Sequence, residues 1–496
     1  MPTLTVLFEE DPGKRQTLPF TAGETPESVL ARAGLALPRP CGGRGVCGKC
    51  AVGLRGQVSE PDEAEKRAGK RLSCRAVLLG DAEVTLPARE TGLQAEKDEE
   101  PAPLSGTGES VFLAAADIGT TTVALTLLTR SGEPVASRVT LNPQGIVAAD
   151  VIGRIGYAEK NGPASQREMI LSCLSELLHG CLQDAHCPGG TVEGAVVTGN
   201  TSMLYLLTGR ETSSLCRAPF KADCLFDIST RILNINTYLP PCFHAFAGAD
   251  LMCAVLSSGM TEREETSLLC DIGTNGELAL WKEGRLYVTS AAAGPAFEGA
   301  GIRCGMHSVR GAIDSVTPVN GRLVCHVIGG GEAKGLCGSG LIDAVSALLE
   351  LGLIDETGLA GHDPLELKDG VMLTQADVRA VQLAKAAIRA GISALIGTAG
   401  CREDEIKRLY LAGGFGSRIG IPSAVRIGLL PGALAGRVTV LGNAALQGAR
   451  QMLTSNALRE KARALRERSV HRDLGGDPAF NDLYIDSISF DNDTEE

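Results

Sequence analysis

The sequence predicts a multidomain α/β protein, a small β-grasp module followed by a duplicated, two-lobed α/β domain. Three observations predict it. The first 87 residues run strand, strand, helix, Gly-rich loop and strands, which is the β-grasp order. From Val111 onward strand and helix patterns alternate. Within that stretch one motif occurs twice, as VFLAAADIGTTTVALTL and as SLLCDIGTNGELAL, 154 residues apart. A chain of 496 residues is also too long for one core, since domains of roughly 100–200 residues ask for about three compact units.

In the N-terminal module, Thr3–Phe8 and Lys14–Phe20 alternate as strands do and flank a turn at Asp11-Pro12-Gly13. Thr25–Ala33 has helical character with Thr25 as its N-cap, and Lys49–Leu54 and Glu83–Leu86 are further strands. Residues 88–110 are polar, acidic and rich in Pro, Gly and Ser, and read as a flexible linker. The remaining 111–496 form the duplicated domain, with a lobe boundary near 245 and long helices over 337–352, 375–398 and 442–453. A charged helix and a frayed, acidic end follow Ser455.

Composition narrows the function. Hydrophobic residues make up 44%, aromatics only 4% with one Trp281, and Gly numbers 61, a profile of aliphatic cores and tight turns. The net charge of −12 without a long basic run speaks against nucleic acid as a partner. The N-terminal TLTVLF is a strand pattern rather than a secretory leader, and no stretch approaches the roughly 18 apolar residues of a membrane span. A cytoplasmic location is expected, with no membrane partner. Sixteen cysteines then suggest metal ligation or buried thiols before disulfides.

Cys41-Gly-Gly-Arg-Gly-Val-Cys47-Gly-Lys-Cys50 is followed after 23 residues by Cys74. Four thiolates are what a [2Fe–2S] cluster requires, and plant-type ferredoxins use C-x4-C-x2-C…C. Here the first gap is five. Gly42, Gly43, Gly45 and Gly48 let the backbone wrap closely enough to donate N–H groups to cluster sulfurs. The competing reading, a zinc knuckle, usually pairs two C-x2-C arms, and only one is present. The other cysteines lack such spacing and read as small buried residues. Cys181 and Cys187 flanking His186 are a weak second metal candidate.

Each Asp-x-Gly-Thr turn joins a carboxylate to backbone amides and hydroxyls. The groups at Gly119, Thr120, Thr121 and Thr122, and at Gly273, Thr274 and Asn275, suit phosphate oxygens. Asp117 and Asp271 suit Mg²⁺, directly or through water. One such turn is a weak signal, because Asp and Gly simply make turns; two between apolar strands are a strong one. LYLAGGFG adds a strand running into Gly413, Gly414, Phe415 and Gly416, where an adenosine can approach the backbone. Gly338-Ser339-Gly340 opens a helix, as an anion contact or for tight helix packing. Gly199-Asn200-Thr201 and Gly248-Ala249-Asp250 enter two more helices, with Thr201 and Asp250 read as caps. No G-x-x-x-x-G-K-[ST] occurs, so the site is not a P-loop.

Together these residues resemble the reductive activators of corrinoid-dependent enzymes, which join an N-terminal [2Fe–2S] ferredoxin domain to an ATPase of the actin, hexokinase and heat-shock-chaperone (ASKHA) superfamily. CGGRGVCGKC and RLSC match the cluster ligands, DIGTTTVA and CDIGTNGELAL the two phosphate motifs. AADVIGRIGYA, VVTGNTSM, CGSGLIDAV, LYLAGGFG and GNAALQGA match segments particular to the family. The chain departs from it twice. A linker stands where many members carry a middle domain associated with dimerisation, and Leu204-Tyr205 stand where members often have a His.

The resemblance implies an ATP-hydrolysing reductase that passes an electron from the cluster to an inactive Co(II) corrinoid protein and restores Co(I), with an unidentified low-potential donor upstream. It implies Cys41, Cys47, Cys50 and Cys74 as metal ligands, Asp117 and Asp271 as catalytic carboxylates that position Mg²⁺ and water, and ATP with Mg²⁺ in the cleft. Plant-type clusters sit near about −400 mV. A tenfold one-electron disadvantage is about 59 mV, so nucleotide binding or hydrolysis is expected to assist. Three other readings use the same motifs: an ATP-coupled activator of another low-potential metalloenzyme, a small-molecule kinase with a ferredoxin appendage, and a non-catalytic actin-like module.

Overall fold

The computed structural model describes residues 1–490 apart from 10, 34, 36, 38–42, 44, 46–48, 88–109, 219 and 415–417. Residues 88–109 of the predicted linker therefore lie outside the described residues, as do Cys41, Cys47, Phe415 and Gly416 of the predicted sites. Contacts divide the chain into one unit of Met1–Gly92 with Pro143–Arg154, and a second of Leu93–Asn142 with Ile155–Glu496.

The first unit holds β1 (Thr3–Phe8), β2 (Asp11–Pro19), α1 (Pro26–Arg32), β3 (Ala51–Val58), α2 (Glu63–Ala68), β4 (Arg71–Leu72) and β5 (Leu78–Leu86). The sheet order is β2-β1-β5-β3-β4, with β1 and β5 parallel, the β-grasp arrangement expected. Alternation sets the faces: Leu4 and Val6 of β1 and Leu78, Ala82, Val84 and Leu86 of β5 point into one core with Val29 and Leu30 of α1. Thr25 caps α1, accepting from the Ser28 amide at 3.2 Å. The predicted turn at Asp11-Pro12-Gly13 is a correction. β2 begins at Asp11, and the register shifts between Leu7, paired with Arg15, and Phe8, paired with Asp11, so the extra residues bulge within the strand.

In the second unit β6 (Val111–Ile118), β7 (Thr122–Leu128), β8 (Pro134–Leu141), α3 (Val151–Asn161, of which residues up to Arg154 fall in the first unit), α4 (Ala164–Asp184), β9 (Thr191–Gly199), α5 (Thr201–Thr208), α6 (Ser213–Cys216), β10 (Ile228–Ile232) and β11 (Ile235–Leu239) come first. Their sheet runs β10-β11-β9-β6-β7-β8. α7 (Ala249–Ser258) leads to β12 (Ser267–Ile272), β13 (Gly276–Lys282) and β14 (Arg285–Ala291). Then come β15 (Ala312–Val319), β16 (Arg322–Val327), β17 (Gly335–Leu336), α8 (Gly338–Glu350), β18 (Leu365–Lys368), β19 (Val371–Leu373), α9 (Gln375–Ala399), β20 (Arg408–Ala412), α10 (Ile421–Arg426), β21 (Val438–Gly442), α11 (Ala444–Thr454), α12 (Asn456–Arg468), β22 (Ser469–His471) and α13 (Pro478–Asp486).

The second large sheet runs β21-β20-β12-β13-β14-β22 and repeats the plan of the first. In each, an antiparallel meander opens on an Asp-bearing strand, and a later strand (β9 or β20) pairs parallel with that opening strand. β12 and β13 are covered on both faces, which is why they read as nearly unbroken apolar runs. Leu268, Cys270, Leu278 and Leu280 pack with α8 and α9, while Leu269 and Ala279 pack with α7 and α11, against which Ala115 and Ala124 of the first sheet also pack. α9 is long and apolar enough to cross a membrane by composition alone, yet it is mostly buried and serves as a core helix. The C-terminal stretch is also a correction where it is described. Phe490 is 3% exposed within the main core, its amide donates to the Glu356 carbonyl at 2.7 Å, and the buried Lys385 ammonium donates to the Ser489 carbonyl.

Candidate functional site

The two predicted turns meet. β6 delivers Asp117 and Ile118 into the turn Gly119–Thr121, and β12 delivers Asp271 and Ile272 into the turn Gly273–Asn275. Thr121 Oγ1 lies 3.4 Å from Thr274 Oγ1, although 153 residues separate them. Around them opens a cleft of about 290 Å³ lined by Asp117, Gly119, Thr120, Thr121 and Thr122, by Asp271, Gly273, Thr274 and Asn275, and by Gly338, Gly413 and Gly414. Hydroxyls, amides and carboxylates thus converge as phosphate binding requires.

Local geometry holds each turn. Asn142 at the end of β8 donates its side-chain amide to the Gly119 carbonyl at 2.8 Å, and its backbone amide to the Thr121 carbonyl at 2.7 Å. Gly413 follows β20 with φ +87, and a Cβ there would lie 2.5 Å from Asp271 Oδ1, so only glycine lets that strand end pass the carboxylate.

Acids dominate the floor. Asp117 and Asp271 keep only a small exposed edge. Burial raises Asp117 to about 7, with the Asp250 charge adding to it, against the Asn443 amide that donates to its Oδ2 at 3.1 Å. Burial followed by the charges of Asp250 and Asp117 raises Asp271 to about 8, and no described side chain hydrogen-bonds it. Asp250 is raised to about 6 by burial, and Glu277, 7% exposed, is raised well above its ordinary range by burial and by Asp250 and Asp271. Hydrated Mg²⁺ fits this donor set because it takes few direct protein oxygens beside phosphates. Among the described residues no three His, Cys, Asp or Glu groups stand close enough to cage a bare ion.

Other predicted residues are distributed unevenly. Of Gly338-Ser339-Gly340 only Gly338 lines the cleft. The Ser339 hydroxyl donates to the Asp314 carbonyl at 2.9 Å, and a Cβ on Gly340 would meet the Ile313 carbonyl at 2.2 Å, which is tight helix packing. Two caps are corrected. Asn200, not Thr201, caps α5, accepting from the Met203 amide at 2.9 Å while its Nδ2 donates to Thr120 Oγ1 at 3.2 Å. Gly248 caps α7, and Asp250 sits in the first helical turn facing the cleft. Sequence reasoning also missed Glu277, Glu298, Asn443, His307, Arg418 and Arg450, all in the cleft lining. Asn443 alone had a local signal, standing before an apolar helix as a cap does; it accepts from the Leu446 amide at 2.8 Å.

In the first unit the described cysteines of the predicted cluster set converge. Cys50 Sγ lies 3.2 Å from Cys74 Sγ, and that contact lowers the Cys50 thiol to about 6, toward the thiolate a metal needs. Gly43 and Gly45 have φ +83 and +76, and a Cβ on Gly45 would lie 2.9 Å from Ala64. A thiol pair near two glycines in left-handed backbone, Gly43 and Gly45, fits a [2Fe–2S] cluster. Cys181, by contrast, is buried against the Leu125 carbonyl with its thiol pushed up to about 12 by burial.

Comparison with known proteins agrees with this geometry. Residues 9–79 match the 2Fe-2S iron-sulfur cluster binding domain, 112–263 the RACo middle region, and 265–496 the C-terminal domain of RACo, its ASKHA domain. The chain is 34% identical over 424 residues to the corrinoid activation enzyme RamQ of Eubacterium limosum, covering 77% of this chain and 70% of that one. It is 30% identical over 281 residues to the [Co(II) methylated amine-specific corrinoid protein] reductase of Methanosarcina barkeri, 52% of each. A solved reductive activator for corrinoid, iron-sulfur protein superposes with a TM-score of 0.71 at 25% identity, covering 98% of both chains.

Proposed function

Because the chain belongs to the RACo family of corrinoid-protein reductive activators, we propose that it reduces the Co(II) corrinoid of a partner protein to Co(I), one electron at a time, coupled to ATP. The observation that carries this reading is the meeting of the two Asp-x-Gly-Thr turns at 3.4 Å on a chain that also brings Cys50 and Cys74 together.

Cys41, Cys47, Cys50 and Cys74 hold the [2Fe–2S] cluster, which supplies a one-electron carrier. The turn amides and the Thr121 and Thr274 hydroxyls bind the phosphates. Asp117, oriented by Asn443, holds hydrated Mg²⁺. Asp271, poised near neutrality, accepts the proton of the attacking water. Gly413 and Gly414 lie along the adenosine side, with Phe415 and Gly416 next in sequence. Nucleotide assists only through different affinities for two states of the protein. We place this chemistry in the cytoplasm.

The test is anaerobic mixing with candidate corrinoid proteins, with and without ATP, following the cobalt absorption bands. Co(I) formation is expected to require ATP, and Cys74→Ser to abolish both the cluster spectrum and Co(I) formation. Reduction indifferent to ATP, or a phosphorylated small molecule in place of free phosphate, would refute the proposal.

A further inference from the structure

Glu298 takes no part in the roles assigned above. It ends a short turn, Pro295–Glu298, beyond β14. Its Oε2 accepts from the Thr274 hydroxyl at 2.7 Å and also from the Thr121 hydroxyl. One carboxylate oxygen therefore ties the first phosphate turn to the second. The other oxygen faces the second turn, where a Cβ on Gly273 would lie 3.6 Å from Oε1.

The backbone leaves Glu298 little latitude. Gly299 has φ +77, and a Cβ there would lie 2.8 Å from the Met306 amide nitrogen; a Cβ on Gly305 would lie 2.2 Å from the Gly299 carbonyl. The loop is folded onto itself, and Phe297, 1% exposed, anchors it in the core.

A threonine hydroxyl has one proton to donate. While both hydroxyls donate to Glu298, neither can donate to a phosphate oxygen, and two anions at one pair of donors repel. We propose that Glu298 is an internal anion that competes with nucleotide phosphate for Thr121 and Thr274. Phosphate binding displaces its carboxylate and unties the two turns. The inference rests on the nucleotide reading of the cleft.

Calorimetric titration of the full-length, cluster-loaded protein with MgATP and with adenosine separates the two ideas. In Glu298→Gln the Kd for MgATP is expected to fall about tenfold, the scale of one charge-assisted hydrogen bond no longer contested. The Kd for adenosine, which has no phosphate, is expected to stay within about twofold. Glu298→Asp keeps the charge on a shorter arm and is expected to tighten MgATP by a smaller factor. Unchanged or weaker MgATP binding in both variants would overturn the competition while leaving the nucleotide site intact, as would an equal change for adenosine. No MgATP binding by the wild-type protein would overturn the nucleotide reading along with it.

Discussion

The two Asp-x-Gly-Thr hairpins share a sequence pattern and differ by one residue between their closing strand pairs, four in the first and three in the second. In the first, Ile118 pairs with Val123 and Asp117 with Ala124. In the second, Ile272 pairs with Gly276 and Asp271 with Glu277. The shorter second turn slips the partner strand by one position, and a one-residue slip changes which side chain faces a given partner. A small apolar residue thus stands across from Asp117, and a buried acid across from Asp271. Asn443 donates to Asp117, while no described group donates to Asp271. Near-identical motifs yield one carboxylate held by a hydrogen bond and one without it, raised by burial and by the charges of Asp250 and Asp117. Duplication supplied the frame, and the Asn443 amide set the two carboxylates apart.

The largest expected effects test that separation. Asp117→Ala should abolish ATP-dependent corrinoid reduction, weaken MgATP binding, and leave the cluster absorption intact. Asp271→Asn should lower ATP hydrolysis by roughly 10²–10⁴-fold, the usual contribution of a general base, with MgATP affinity retained. Anaerobic turnover beside calorimetry distinguishes the two. If both variants lose binding and turnover in the same proportion, the hairpins do one job and the comparison has no functional content.

A smaller effect is confined to the second hairpin. Gly413→Ala places a Cβ against Asp271 Oδ1 and forces φ +87 on a residue that avoids it. Such strain costs about 1–3 kcal/mol, and hydrolysis should fall by roughly 10–10²-fold as Asp271 is pushed aside. Glu277→Gln should be milder still. The charges that raise Asp271 are those of Asp250 and Asp117, and burial with the nearby Asp250 and Asp271 holds Glu277 well above its ordinary range, so the acid limb of the hydrolysis pH profile should stay in place. A limb that moved downward would show that Glu277 carries charge beside Asp271.

Much of this was legible in the sequence, for a physical reason. Strands with one buried face alternate, so β1 and β5 announce themselves, and of the four cysteines the two described, Cys50 and Cys74, meet although 24 residues separate them. The two hairpins are local and were read intact. What was not legible depends on distant chain segments. Asp250 looks like a helix cap because Gly-Ala-Asp before an apolar run is a cap pattern; only the packing of α7 turns it toward Asp117 and Asp271. Glu298 lies 177 residues from Thr121, and nothing in the local run Gly-Pro-Ala-Phe-Glu-Gly announces the meeting. Ile488 and Phe490 are the last apolar residues before an acidic end, too few to set a periodicity that reveals the burial of Phe490. The register slip at Glu277 was present in the sequence as a one-residue difference, but it acquires meaning only once pairing is known.

The smallest expected effect is on stability, and it carries a sign. Asp117 and Asp271 are raised to about 7 and about 8, whereas carboxyls in an unfolded chain titrate near 4. Between those values the folded protein holds protons that the unfolded chain has released. Stability from these groups is intact below about pH 4 and is lost as pH rises through the folded values. Replacing either acid by its neutral amide removes that loss. Asp271→Asn should therefore match the wild type near pH 4.5 and gain on it as pH rises, levelling off above about pH 8. Asp117→Asn should level off earlier, near 7, and gain less, because it disturbs the hydrogen bond from Asn443. Burial is incomplete and the acids interact, so the gain for Asp271→Asn is on the order of 1–2 kcal/mol. That corresponds to a few degrees in the melting of the nucleotide domain. Melting curves from pH 4.5 to 8.5, without Mg²⁺ or nucleotide, measure it directly. Equal and pH-independent offsets for the two variants would mean that the hairpin carboxylates are equivalent.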